Sequence, residues 1–315
     1  MSIPVFSLCR RWAALALTTA IGLSAVAAYA QNGATVEVRH ASGTTAVPAN
    51  PKKVIVLDTT ALDTLATLGV EVAGVPDMQM SEQLARYNDK KYLRVGTLFE
   101  PNYEAIHAAA PDLIVVGGRS QAKYADLAKI APTIDLTADR TDLVGSVERN
   151  TNILAGLFGK QAQAKQLLDK LHRSIADLKV KAKSAGTGLI VLTTGGKMSA
   201  YGPGSRFGVL HDAFGIAPAV SNLNTSNHGQ AISFEFILKT NPDWLFVIDR
   251  DAAIGRDGAA AQRMLDNELV RQTKAWKNQH VVYLNGLNWY VMGGAGLTAM
   301  QENVDQLSEA LSQAK

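Results

Sequence analysis

Hydrophobic residues along the chain follow two patterns, short apolar runs and longer segments with a helical period. Residues 53–58, 70–75 and 188–193 are largely apolar runs, as in strands that are buried on both faces of a sheet. Residues 61–68 carry apolar positions three and four residues apart and end at Gly69, which is typical of a helix. The alternation of the two patterns predicts an α/β fold with a mostly parallel sheet.

The middle of the chain is predicted to be helical. Residues 143–158 form one helix, which Gly159 interrupts, and residues 161–184 form a second, amphipathic helix. At about 1.5 Å per residue the second helix spans about 35 Å, which is enough to connect two lobes. Further on we expect a glycine-rich loop over residues 195–206 and a helical segment over residues 264–276.

Two segments of the chain repeat one pattern. Residues 104–119 (the first copy) and 235–250 (the second copy) both have a glutamate first, an isoleucine third, Pro-Asp in the middle and an arginine last. Each copy predicts a short helix, a turn, a buried strand and an arginine at the strand's end. The match indicates two similar lobes. We therefore predict an N-terminal lobe over residues 31–158, a linking helix over residues 159–186 and a C-terminal lobe over residues 187–315.

Residues 1–30 have the pattern of a secretory signal peptide. Arg10 and Arg11 precede an apolar stretch that is short for a membrane span, and a small-residue cleavage motif ends at Ala30. The only cysteine, Cys9, lies before that stretch, so it is not a lipid-attachment cysteine and the mature chain has no disulfide. We expect cleavage after Ala30 and a soluble protein in the periplasm.

The composition argues against several classes of partner. The formal net charge is +3 and no run of basic residues occurs, so binding to nucleic acid or to a membrane surface is not expected. Low-complexity segments are absent from the sequence, and the chain is long enough for one large or two modest cores.

Five polar residues are predicted to meet at the ligand-binding edge of the fold. Arg119, Arg250 and Tyr290 follow predicted strands, while Arg206 and His228 lie in loops or at helix starts. Ligands of open α/β sheets bind outside the carboxyl ends of the strands, so we expect these residues in one cleft. Arginine suits delocalised oxygen anions, and a tyrosine with a histidine suits Fe(III). Taken singly, each arginine could also be a solvated charge, and the tyrosine and histidine could be packing or capping residues.

Catalytic motifs in the sequence are weak. Ser120 and Lys123 match the S-x-x-K pattern of penicillin-recognising enzymes, but no K-T-G or S-D-N motif follows. There is no G-x-S-x-G motif, and no phosphate-binding loop has the required spacing. The other histidines are scattered along the sequence, so a zinc site is not expected. We expect the protein not to be an enzyme.

Several short motifs make the chain resemble a known family. They are Val-Val-Gly-Gly-Arg119, Ser-Arg206-Phe-Gly, the segment from Asn-His228 to Phe-Glu235, Val-Ile-Asp-Arg250 and Asn-Trp-Tyr290. On these motifs the chain resembles the helical-backbone, or class III, substrate-binding proteins of ABC importers, and more narrowly the CeuE-type binders of ferric catecholate siderophores. The resemblance implies two Rossmann-like lobes joined by one long backbone helix.

The resemblance also implies roles for the five candidate residues. In that family three arginines hold the negative catecholate oxygens, and a histidine and a tyrosine can ligate the iron. The first role falls on Arg119, Arg206 and Arg250, and the second on His228 and Tyr290. A siderophore with two catecholate units leaves iron two open positions for the histidine and tyrosine. With three catecholate units both residues would only line the pocket.

Two glutamates are candidates for contacts with a transporter. The family docks on an inner-membrane ABC permease with its ATPase and uses glutamates of both lobes against permease arginines. Here these would be Glu104 and Glu235, at the first position of each copy. The alternative is that each glutamate only stabilises the N-terminus of its own helix.

The expected protein is thus a periplasmic, monomeric carrier of a ferric catecholate siderophore, of the enterobactin type or its linear bis-catecholate fragments. The Fe(III)-siderophore is the ligand, no intrinsic cofactor is expected, and the absence of a lipid-attachment cysteine favours a Gram-negative cell. One alternative is a binder of another iron chelate, haem or cobalamin. An alternative of another class is an exported serine hydrolase that uses Ser120 and Lys123.

Overall fold

The computed structural model of the protein describes Met1 and residues 35–80, 82–256 and 260–313. Apart from Met1, the predicted signal peptide lies outside these residues. Within the described ranges, no helix is both long and apolar enough to cross a lipid bilayer. Residues from 35 onward form one compact unit, and the predicted lobe boundaries stay a prediction.

The first sheet consists of five parallel strands and follows a separate antiparallel hairpin. The hairpin pairs β1 (Thr35–His40) with β2 (Gly43–Pro48). The sheet has the spatial order β5-β4-β3-β6-β7, with β3 (Val54–Val56), β4 (Gly74–Val75), β5 (Leu93–Arg94), β6 (Leu113–Val116) and β7 (Thr133–Asp135). Strands β3, β6 and β7 are buried along their whole length, which accounts for the apolar sequences of β3 and β6.

The second sheet has six strands and is mixed. Its order is β11-β9-β8-β12-β13, with β10 also beside β8. The strands are β8 (Thr187–Thr194), β9 (Lys197–Tyr201), β10 (Ala217–Pro218), β11 (Gln230–Ile232), β12 (Trp244–Asp249) and β13 (Val281–Tyr283). Strands β8, β12 and β13 are parallel, whereas β9 and β11 run antiparallel to their neighbours.

Twelve α-helices accompany the sheets in the described residues. In the first half they are α1 (Thr59–Thr67), α2 (Tyr103–Ala109), α3 (Tyr124–Leu127), α4 (Leu143–Phe158) and α5 (Gln161–Ala182). In the second half they are α6 (Val209–Asp212), α7 (Phe234–Thr240), α8 (Arg250–Ala253), α9 (Ala260–Leu265), α10 (Glu268–Arg271), α11 (Lys274–Lys277) and α12 (Leu297–Gln313). Helix α5 has 22 residues, or about 33 Å, and connects the strands of one sheet to those of the other. The predicted fold class, α/β with parallel strands and a long helix, is confirmed.

The two copies of the repeat fold alike. Helix α2 starts after the N-cap Asn102 and α7 after the N-cap Ser233, and both helices have seven residues. Both helices end at a residue with φ of 45°, Ala110 in one copy and Asn241 in the other. A buried strand of the sheet follows in each copy. The shared pattern in the sequence therefore encodes one local structure, used twice.

Three local predictions were wrong. The segment 195–206 is not all loop, because residues 197–201 form β9, which pairs with β8 through its backbone. The side chains of Met198, Ala200 and Tyr201 in this strand are buried, which stabilises it. Residues 264–276 form no continuous helix but the end of α9, α10 and the start of α11, since Asn267 and Thr273 each cap a new helix. The run 70–75 contributes only Gly74 and Val75 as a strand.

The segment before α12 packs into the cores beneath both sheets. Leu287 and Val291 belong to the hydrophobic cluster of the first sheet. Trp289 belongs to the cluster of the second sheet, where its ring meets Phe214 edge-to-face at 6.5 Å. Tyr290, which lies between Trp289 and Val291 in the sequence, packs against both hydrophobic clusters.

Candidate functional site

A cleft of about 800 Å³ is lined by segments that follow strands of both sheets. All five residues that the sequence indicated as ligand-binding line this cleft: Arg119, Arg206, His228, Arg250 and Tyr290. They come from five separate connections of the chain, so only the tertiary structure brings them together.

Part of the cleft wall is one π-helical turn, Leu287–Val291, called the Tyr290 turn below. Such turns are rare and occur frequently at functional sites. Leu287, Trp289 and Val291 are buried, while Tyr290 is half-buried and lines the cleft. The turn thereby presents one phenol ring and its own backbone carbonyl groups to the arginines of the site.

Arg119 binds the backbone of this turn. Its Nη1 donates to the carbonyl oxygen of Val291 at 2.6 Å, and its Nη2 donates to that of Tyr290 at 3.2 Å. Gly117 and Gly118, which precede Arg119, could not be replaced by larger residues without a clash or backbone strain. A Cβ at Gly117 would lie 2.8 Å from Asp58 Oδ2, and Gly118 has a φ of +46°.

Arg250 binds side-chain oxygens instead. Its Nε donates to Tyr290 Oη at 2.7 Å, and its Nη1 donates to Thr194 Oγ1 at 3.2 Å. The residue starts α8, whose N-cap Asp249 accepts a hydrogen bond from Ala252 N at 3.1 Å. The cap fixes the backbone from which the guanidinium reaches Tyr290.

Arg206 lies over the face of the Tyr290 ring. Its Cζ is 4.7 Å from the ring centroid, and its Nη2 donates to the carbonyl oxygen of Tyr290 at 2.7 Å. Burial, and the like charge of Arg119, lower the pKa of Arg206, yet an arginine remains charged. Three guanidinium groups thus surround one tyrosine.

His228 lies in an exposed turn at the edge of the cleft. The next residue, Gly229, has a φ of +67°, and a Cβ there would lie 2.7 Å from the carbonyl oxygen of Ala200. Within the described part of the chain, the His228 imidazole makes no hydrogen bond, so its ring nitrogens are available to a ligand.

Sequence reasoning missed three charged residues that line the cleft, Asp58, Arg140 and Lys197. Asp58 follows β3 just as the arginines follow β6 and β12, so the same rule would have found it. Its Oδ1 accepts a hydrogen bond from Ala61 N at 2.8 Å, and burial raises the pKa of its carboxyl. Arg140 and Lys197 had no comparable signal. In the described ranges their side chains have no hydrogen-bond or ion-pair partner.

The cleft has few protein ligands for a metal. Among the described residues, no group of three or more His, Cys, Asp or Glu side chains could hold a metal ion. An iron ion bound here would therefore need most of its ligands from a chelator.

The geometry does not support the serine hydrolase alternative. The Ser120 side chain is fully buried, and its Oγ donates to the carbonyl oxygen of Leu57 at 2.8 Å. The Lys123 ammonium group pairs with Glu100 at 3.1 Å. The serine is thus neither accessible nor bonded to the lysine.

Glu104 and Glu235 are exposed in the first turns of α2 and α7. A hydrogen bond with Ser233 lowers the pKa of Glu235, which keeps its carboxylate charged. Neither glutamate lines the cleft.

The fold is that of a substrate-binding protein. Residues 54–286 match the family described as periplasmic binding protein, and the chain belongs to that family.

The chain is similar to three characterised members in particular. It is 42% identical over 270 residues to the petrobactin-binding protein YclQ of Bacillus subtilis, covering 85% of this chain and 84% of YclQ. The crystal structure of YclQ matches with a TM-score of 0.85 over 89% of this chain and 99% of YclQ. Identity to the ferric-anguibactin-binding protein FatB of Vibrio anguillarum is 31%, over 86% of this chain and 85% of FatB. The periplasmic catecholate-siderophore binding protein VctP of Vibrio cholerae is 30% identical with a TM-score of 0.82, over 89% of this chain and 99% of VctP.

Proposed function

We propose that the protein captures a ferric siderophore outside the inner membrane and delivers it to an ABC permease, and that catecholate groups hold the iron. Ferric-siderophore binding is supported by the relatives, since petrobactin, ferric anguibactin and a catecholate siderophore appear in their names. The same names are those of binding proteins, which is consistent with a non-catalytic role. A periplasmic location is supported by the family and by the N-terminal sequence pattern.

The observation that carries the proposal is the arrangement of three guanidinium groups around Tyr290. Arg140 and Lys197 add two more cations to the cleft, against one acid, Asp58, whose pKa burial raises. Burying an anion without countercharge is costly, so a cleft of this kind favours a ligand with several negative oxygens. A ferric catecholate is such a ligand.

Tyr290 and His228 are the proposed protein ligands to iron when the siderophore offers only four oxygens. A phenol oxygen and an imidazole nitrogen both suit Fe(III). The hydrogen bond from Arg250 to Tyr290 Oη leaves that oxygen further lone pairs for a metal. The imidazole of His228 makes no competing hydrogen bond among the described residues.

A fluorescence titration tests this function. We expect ferric catecholates to quench intrinsic tryptophan emission at lower concentration than ferric hydroxamate or carboxylate chelates. Trp289 is the reporter, because it lies in the Tyr290 turn and is only 1% exposed, so quenchers in solvent reach it poorly whereas a ligand in the cleft lies beside its turn. Tighter binding of haem or cobalamin than of any ferric siderophore would contradict the proposal.

A further inference from the structure

The cleft wall contains a large apolar side chain that the protein leaves in water. Phe99 is 59% exposed and lines the cleft. The other exposed large hydrophobic residues of the described chain lie outside the cleft: Met1, Val36, Leu93, Val180 and Ile254. Exposed phenylalanine forgoes the stabilisation that burial would provide, which points to an occupant that covers it when the cleft is filled.

The loop that carries Phe99 is fixed by its own hydrogen bonds. Gly96 and Pro101 form an isolated β-bridge at its base. Thr97 N donates to the carbonyl oxygen of Glu100 at 3.0 Å, and Thr97 Oγ1 accepts from the amides of Phe99 and Glu100 at 3.3 and 3.0 Å. Gly96 has a φ of +86°, and a Cβ there would lie 2.4 Å from Asn102 N.

Neighbouring elements hold the loop from behind. Asn102 N donates to the carbonyl oxygen of Val95 at 2.8 Å, and the Asn102 side chain caps α2. Glu100 pairs with Lys123 at 3.1 Å. A loop held in this way presents the ring of Phe99 in a preformed position, so covering the ring costs little conformational entropy.

The charged groups of the cleft leave the choice of anion open. A guanidinium group binds carboxylate and catecholate oxygens alike, because both offer negative oxygens to its fork of N–H donors. The three arginines around Tyr290 therefore favour ferric anions in general. A preformed apolar ring distinguishes between them, since it gains from packing on an aryl group and gains nothing from a citrate.

We propose that Phe99 is a specificity-determining residue, whose ring packs against an aromatic ring of the bound iron chelate. This proposal rests on the function proposed above. It adds a preference for aryl chelates over aliphatic ones that the arginines do not provide.

The test compares wild type and three Phe99 variants with two probes, beside one control variant. The dissociation constants of wild type, Phe99→Tyr, Phe99→Leu and Phe99→Ala are measured for the ferric complex of a linear bis(2,3-dihydroxybenzamide) and for ferric citrate. For the bis-catecholate we expect the tyrosine variant to stay within about twofold of wild type, and the leucine and alanine variants to bind about tenfold more weakly. Ferric citrate should bind all four proteins alike. Leu93→Ala removes an exposed apolar side chain outside the cleft and serves as the matched control.

The other possible results distinguish the proposed role of Phe99 from the proposed function of the protein. Equal bis-catecholate affinity of wild type and the leucine variant would overturn the role of Phe99 and leave the proposed function intact. Binding of ferric citrate without binding of any ferric catecholate would overturn the catecholate function itself. The tyrosine-versus-leucine comparison decides the question even where ferric citrate does not bind.

Discussion

Arg119 and Arg250 end two copies of one repeat, yet their guanidinium groups bind different parts of the Tyr290 turn. Arg119 donates to the carbonyl oxygens of Tyr290 and Val291, whereas Arg250 donates to the hydroxyl group of Tyr290. The contacts of Arg119 would form with any residue at position 290, but the contact of Arg250 needs the tyrosine. The two equivalent positions thus have different roles. Arg119 holds the backbone of the Tyr290 turn, and Arg250 contacts the phenol oxygen that would face a ligand.

A second contact from the first half of the chain also holds this segment by its backbone. Asp63, in α1, accepts hydrogen bonds from Thr298 N at 2.8 Å and Ala299 N at 3.4 Å, at the start of α12. Gly296 permits this approach, because a Cβ there would lie 2.4 Å from Asp63 Oδ2. Arg119 and Asp63 thus bind on either side of residues 292–297. Arg119 and Asp63, which both precede the long helix, therefore hold this segment through its main-chain groups.

The largest expected effect concerns the glutamates of the two copies. We predict that Glu104→Lys with Glu235→Lys abolishes uptake of ferric siderophore in cells and leaves the affinity of the purified protein unchanged, because both side chains are exposed outside the cleft. Single reversals should reduce uptake similarly if the copies are equivalent on this surface. Glu37→Lys with Glu309→Lys changes the net charge equally at other exposed positions and should have no effect. A loss of ligand binding or folding would instead indicate that the glutamates only stabilise their helices.

The next effect is a pH dependence that Asp63 should cause. Burial raises the pKa of Asp63 from 3.8 to about 7. The folded state therefore binds this proton more tightly than the unfolded state, and the stability that the group contributes is lost as the pH rises through about 7. Asp63→Asn cannot titrate, so its free energy of unfolding relative to wild type should increase by a few kcal/mol between pH 4 and pH 8. Denaturant unfolding at several pH values measures this difference. A constant difference across that range would contradict the assignment.

Arginine variants test the comparison directly. We predict that Arg119→Ala, Arg206→Ala and Arg250→Ala each weaken binding of a ferric catecholate by on the order of 1–3 kcal/mol. Arg119→Ala should also lower the melting temperature of the free protein by a few degrees, since it removes two hydrogen bonds to the backbone of the Tyr290 turn. Arg250→Ala should lower it less, because it releases side-chain oxygens only. Calorimetry and titration of the same samples separate the two effects. Unchanged affinity in all three variants would remove the arginines from the site.

The smallest effect depends on the type of siderophore. Tyr290→Phe and His228→Ala should weaken a four-oxygen bis-catecholate complex by about tenfold and a six-oxygen tris-catecholate complex by much less, because only the first leaves iron positions open. The visible charge-transfer band of the four-oxygen complex should shift in both variants. Equal losses for the two complexes without a spectral shift would mean that neither residue binds the metal. Tyr290→Phe would then report only the lost hydrogen bond from Arg250.

The sequence by itself determined the α/β class, the long helix and the repeat. Apolar runs, helical periods and caps such as Asn102 and Ser233 act between near neighbours, so they can be interpreted without the tertiary fold. The rule that ligands bind beyond the strand ends also places Arg119 and Arg250 in one cleft, where both lie, and Asp58 after β3 fits the same rule.

Only the tertiary structure decided which group each side chain binds. Arg119 contacts a turn that lies more than 170 positions later in the chain, and no local pattern encodes that distance. The exposure of Phe99 and the accessibility of His228 likewise depend on what packs around their loops. Local order follows from interactions between neighbouring residues, whereas the chemistry of the cleft follows from long-range packing that brings five distant segments into one cleft.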